Sequence, residues 1–160
     1  MSHANLLRSS LAGAVLLAAA LIAPRSARAC PPSLVVEQPS DTAAASGTFL
    51  IVRAVPGCHP GALAVSGTAE GLVGGERRSE PLALVAGSAP GVYLVRRQWP
   101  REGVWLLRLT VTEGDGHATA LVGIGRTGAV VTVRQPARRG SIHEVSEADV
   151  ATLLRSLAAG

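Results

Sequence analysis

The sequence predicts an all-β chain, an antiparallel two-sheet sandwich followed by one short C-terminal helix. Three observations predict it. Between Pro31 and Gln135 the apolar runs are 4–9 residues long and are bounded by Gly, Pro, Ser or Asp. In one of them Trp105, Leu107, Leu109 and Val111 fall on one face, and Leu106, Arg108 and Thr110 on the other. A helix with one buried face cannot use a period of two, so this run is a half-buried strand. Finally, no gap between runs holds the helix of about a dozen residues that parallel neighbours require. A small closed barrel is the alternative that periodicity leaves open.

Residues 1–29 read as a secretory signal. Arg8 supplies the positive start, and Leu11–Ala23 is an uncharged apolar run of 13 residues. At about 1.5 Å per residue it spans about 20 Å, short of the ~30 Å hydrocarbon core. Pro24 breaks it, and Ala27-Arg28-Ala29 gives the small-x-small pattern of a cleavage site. An uncleaved anchor and a lipid anchor on Cys30 are the alternatives. Against the first stands the run's length, and against the second stand Ala27 and Arg28 where a lipobox differs. No second apolar stretch approaches membrane length, so no span is expected after cleavage.

Processing changes the charge balance. All 15 basic residues are arginines, against 11 acids, and Arg8, Arg25 and Arg28 leave with the signal. The remainder has 12 arginines and 11 acids, a net charge of +1. Its aromatic side chains are Phe49, Tyr93, Trp99 and Trp105. A nucleic-acid surface needs a concentrated basic patch with stacking rings, which this pattern excludes. Cys30 and Cys58 are expected to pair in an oxidising compartment. Closing a loop of about 29 residues contributes roughly 3–4 kcal/mol in the chain-entropy model.

The predicted strands are Leu34–Gln38, Thr48–Val55, Leu63–Ala69, Arg77–Val85, Val92–Gln98, Val104–Thr112, His117–Gly123 and Ala129–Arg134. Asp115-Gly116 offers a hairpin turn, Pro100–Gly103 a second turn, and Gly71–Gly75 a hairpin loop without the lysine or helix of a phosphate cradle. The sandwich is expected over residues 30–134, a polar linker over 135–145 and the helix over 146–160, with Glu147–Ala158 helical. Ser146 is the N-cap, Asp149 the capping-box acid, and Val145 with Val150 a hydrophobic staple. Val150, Leu153, Leu154 and Leu157 form one apolar stripe. A helix of about 12 residues is marginal alone, so the stripe must bury, against the sandwich edge or against a partner protein.

Chemistry is sparse. His59, His117 and His143 are far apart in sequence and form no His-x-x-His pattern. His59 follows Cys58, and such neighbours can share a copper ion, but Met1 leaves with the signal and no other methionine exists. Ser66 and Ser88 lack the flanking glycines of a nucleophile elbow. Glu76 with Glu80, and Glu144 with Glu147, sit among arginines or linker residues and read as solvated charge. No catalytic residue is assigned, and no enzyme is expected.

The segment Ala89-Pro90-Gly91-Val92-Tyr93-Leu94-Val95, followed by Trp99-Pro100-Arg101-Glu102-Gly103-Val104-Trp105, resembles the core of exported bacterial YtkA-like and FixH-like immunoglobulin-type domains. Those share a Gly-x-Tyr strand, a short turn and a Gly-x-Trp strand. The resemblance covers roughly Phe49 to Gly125 and implies an immunoglobulin-like sandwich outside the cytoplasm, without catalysis. Tyr93, Trp99 and Trp105 are then its structural core. The expected function is a binding or accessory module, secreted or periplasmic. Its contact surfaces are the stripe Val150, Leu153, Leu154 and Leu157, or the strand end at Arg96 and Arg97. The alternative is a periplasmic copper-handling protein with His59, His117 and His143 as ligands.

Overall fold

A computed structural model describes residues 30–58, 61–135 and 145–160. Nine strands and two helices run in the order β1 (Ser33–Glu37), α1 (Asp41–Ala45), β2 (Thr48–Val55), β3 (Leu63–Val73), β4 (Glu76–Pro81), β5 (Leu84–Ala86), β6 (Val92–Arg96), β7 (Val104–Glu113), β8 (Gly116–Ile124), β9 (Val130–Arg134) and α2 (Glu147–Ala159). They form a four-stranded sheet, β1-β2-β6-β5, and a five-stranded sheet, β4-β3-β7-β8-β9, with every pair antiparallel. No described strand belongs to both sheets, so the molecule is layered and the barrel alternative falls. Among the described residues no helix is long and apolar enough to cross a membrane.

The period of two in β7 builds two cores. Trp105, Leu107, Leu109 and Val111 point between the sheets and join Leu34, Leu50, Val52 and Val95 of the other layer. Leu106, on the opposite face, is equally buried. It lies in a second cluster with Leu121, Val145, Val150, Leu153 and Leu154, against which Leu157 also packs. Helix α2 therefore lies on the outer face of the five-stranded sheet rather than at its edge. Gly123 marks the contact: a Cβ there would stand 3.1 Å from Leu157 and 2.6 Å from Thr132.

Turn residues set the strand limits. Gly74 and Gly75 both have positive φ, 60° and 88°, and form the two-residue turn between Val73 and Glu76. Gly71 therefore belongs to β3, not to the loop. It faces Trp105 across the ladder, and a Cβ would meet the indole at 2.6 Å. Only the smallest residue leaves room for the ring. At the β7–β8 turn the central residues are Gly114 and Asp115, one position earlier than the Asp-Gly reading. Gly114 takes φ 54° while Gly116 pairs with Glu113 inside the ladder.

The segment Arg77–Val85 is not one strand. Residues up to Pro81 pair with β3, and Leu84–Ala86 pair with β6 in the other sheet. Pro81 has no N–H to extend the first ladder. Leu82 then crosses between layers, buried, its N–H donating to the Gly67 carbonyl at 2.9 Å. Strand β6 likewise ends at Arg96, because Trp99 turns into the core and the Gln98 Oε1 accepts from the Ala83 N–H at 3.0 Å. The one-turn helix α1 was not expected; Ser40 caps it, accepting from the Ala43 N–H at 3.4 Å.

Helix α2 begins as its sequence predicts. The Ser146 Oγ accepts from the Asp149 N–H at 3.2 Å, and the Asp149 carboxylate accepts from the Ser146 N–H at 3.1 Å. Val145 and Val150 are both buried, completing the staple. Arg77 bridges Glu70 on β3 and Glu147 on α2, and Arg108 reaches Glu147 at 3.5 Å and the Val145 carbonyl at 3.3 Å. This network ties the helix start to the sheet.

Candidate binding surface

The two ends of the sandwich differ in chemistry. At the end where β2 leaves and β7 finishes, Cys30 and Cys58 form the expected disulfide. The Cys58 N–H donates to the Cys30 carbonyl at 3.2 Å. Glu113 sits beneath this loop, buried, and accepts from the Gly57 N–H at 2.7 Å and the Gly61 N–H at 2.8 Å. The role of Glu113 was missed. The signal was present, because the period of two that buries Trp105 and Val111 carries on to position 113 and places a charge on the inward face. An inward carboxylate needs donors, and two backbone N–H groups supply them.

At the opposite end, where β2 begins and β6 ends, the aromatic side chains gather. Phe49 and Trp99 meet edge to face at 5.2 Å, and Trp99 lies 6.5 Å from Trp105. The Trp105 Nε1–H donates to the Glu102 carbonyl at 3.0 Å. Trp99 is only 3% exposed, and its Nε1–H has no acceptor among the described residues.

Arg97 lies over these rings, its Cζ 4.9 Å from the Phe49 centroid and 5.5 Å from that of Trp99. Its Nη2 donates to the Gly128 carbonyl at 2.9 Å. Gly128 adopts φ 80° and presses against the guanidinium; a Cβ there would stand 3.0 Å from both Nη atoms. The cation thus rests against two rings, with the turn backbone at Gly128 in front of its terminal nitrogens. Burial, and then the neighbouring Arg101 charge, push the Arg97 pKa down from its ordinary value. Ion pairs among the described residues lie elsewhere, on Arg53, Arg77 and Arg108. Arg96 and Arg101 beside it are exposed.

The other site residues read from the sequence fare differently. The stripe Val150, Leu153, Leu154 and Leu157 is not presented to a partner. The first three are buried, and all four pack on Leu106 or its neighbours, because the outer sheet face offers an apolar seat close by in the chain. Trp99 and Trp105 are core residues, whereas Tyr93 is half-buried and packs at the core margin. His117 lies half-buried on β8 opposite Thr112. His59, His143, the segment 1–29 and residues 136–144 of the linker lie outside the described residues. Among the described residues no three His, Cys, Asp or Glu side chains converge as a metal site. Cys58 spends its sulfur on Cys30, and a sulfur in a disulfide carries neither a copper ion as thiolate nor a lipid. No family model, curated protein or solved structure matches the chain.

Proposed function

We propose that this chain is an exported, immunoglobulin-like binding module, without catalysis, whose contact surface is the arginine and aromatic end. The observation that carries the reading is Arg97, a cation set rigidly on Phe49 and Trp99 with no carboxylate of its own among the described residues. Arginine is among the residue types that dominate binding energy at protein surfaces, and the rings beneath serve to hold it.

Three further features support it. The order β1-β2-β6-β5 corresponds to A-B-E-D of an immunoglobulin sandwich, and β3-β7-β8 to C-F-G, with β4 and β9 added outside. Residues 1–29 have the pattern of an export signal. The Cys30–Cys58 disulfide is a bond of oxidising compartments, which fits a secreted or periplasmic protein. The resemblance to YtkA-like and FixH-like domains points the same way. The disulfide departs from the inter-sheet bond of antibody domains, since it ties the N-terminal segment to the loop after β2.

Site-specific photocrosslinking tests the surface. A photoreactive side chain replacing Arg101 in the expressing cell should capture a discrete partner. The same group replacing exposed Arg155 on α2 should not. Equal capture at both positions, or none at 101, would remove this end as the contact surface.

A further inference from the structure

We propose that β9 is a self-pairing edge, along which a second copy of this chain adds antiparallel and joins the two five-stranded sheets into one continuous sheet. The pairing goes beyond the arginine end and does not depend on it.

An edge strand presents backbone N–H and C=O groups that another strand can take up, and stable folds guard such edges. The edges here are β1 and β5 in one sheet, β4 and β9 in the other. Strand β4 carries Glu76, Arg77, Arg78 and Glu80 and ends in Pro81. Arg78 stands opposite Gly71 and Glu80 opposite Ala69, so both charges share the inward face of Trp105 and Leu107. A strand docking there would meet inward charge, which is a known guard. Strand β5 has only three residues. On β1 the Leu34 carbonyl accepts from the Gln135 side chain, and Glu37 pairs with Arg53. Strand β9, Val-Val-Thr-Val-Arg, has no proline and no charge before its last residue. Val131 and Val133 are 57% and 46% exposed, the highest values for large apolar side chains among the described residues. A bulge confines irregularity to the start of β9, and its pairing with β8 is regular from Thr132 to Arg134.

The sequence of β9 names the occupant. Residues directly opposite in an antiparallel pair share a face, so a two-fold axis between two copies must pass through a residue, not between residues. An axis through Thr132 is the choice that pairs all five residues. It sets Thr132 opposite Thr132, Val131 opposite Val133 and Val130 opposite Arg134. Threonine pairs and β-branched pairs are favourable cross-strand neighbours, and no like charges meet. The strand is thus complementary to itself in charge and in shape.

Sedimentation velocity of the purified protein tests the pairing. Five residues a side make a small interface, so the dimer should be weak and should grow in between about 1 and 500 µM. Val133→Lys, at an exposed position, places a lysine opposite Val131 twice and should weaken the dimer at least about tenfold. Cysteine substitution reads the register even where that variant fails to fold. Thr132→Cys faces itself at about 4.5–5.5 Å between Cα atoms, within disulfide reach, and should give a covalent dimer under mild oxidation. The two 134 positions lie four residues apart along the pair, about 14 Å, so Arg134→Cys should not crosslink. A protein that stays monomeric across the range would overturn the proposal. So would a dimer that Val133→Lys leaves unchanged, or one that crosslinks equally at both positions or at neither. A monomer whose β9 edge is taken by another segment of the chain gives no crosslink at 132 and overturns it too.

Discussion

Truncating Leu106 and Leu154 together asks whether α2 is a part of the domain or an arm held out for something else. Leu106 is 0% exposed on the outer face of β7, and Leu154 is 3% exposed on α2. Both belong to the same apolar cluster. Each Leu→Ala change removes buried methyl groups and leaves a cavity, a cost of about 2–5 kcal/mol. The costs should not add. Once Leu106→Ala has opened the seat, Leu154→Ala removes contacts that are already partly lost, and a coupling of about 0.5–3 kcal/mol follows. Urea unfolding of the four proteins, monitored by circular dichroism with the disulfide intact, measures it. With a slope of about 2 kcal/mol per molar urea, each single change should lower the midpoint by roughly 1–2.5 M. A Leu154→Ala cost below about 0.5 kcal/mol, the range of exposed positions, would refute the docking. So would costs that add within about 0.5 kcal/mol.

Other expectations follow from the same contacts. Gly71→Ala drives a Cβ into the Trp105 ring and should cost about 1–3 kcal/mol by thermal unfolding, while Gly74→Ala, whose Cβ meets nothing, should be limited to the strain of its positive φ. Glu113→Ala strips the Gly57 and Gly61 N–H groups of their acceptor and should cost about 1–3 kcal/mol, with hydrogen exchange rising first at those two amides. Reducing the Cys30–Cys58 bond should lower stability by roughly 3–4 kcal/mol in urea titrations with and without reductant; an unchanged midpoint would contradict the loop-closure argument. Arg77→Ala should cost less than about 1 kcal/mol despite its two ion pairs, because the side chain is largely solvated.

Much of the layered fold was legible because its signals are local. Strand β2 falls at the expected limits, and Ser146 with Asp149 caps α2 as their spacing requires, since turn and cap chemistry act over a few residues. What stayed hidden depends on neighbours distant in sequence. Gly71 looked like a loop glycine until Trp105 stood opposite it. Arg77–Val85 reads as one run, and only the second sheet shows why it breaks after Pro81. The stripe on α2 announced that it must bury, but periodicity does not name the surface, and the seat around Leu106 and Leu121 was disguised as the second face of two strands. The candidate surface was half legible. Arg96 and Arg97 stood out at a strand end, whereas the stacking of Arg97 on Phe49 brings together residues 48 positions apart in the chain.

We propose an exported chain that is closed by its own disulfide, seats α2 on its own sheet and keeps one arginine end for binding. Native mass spectrometry of the protein recovered from its producing cell tests the first half most directly. The expected species is a chain beginning at Cys30, two hydrogens lighter than its dithiol form, without lipid or metal. A precursor that retains residues 1–29 with both thiols free would contradict it.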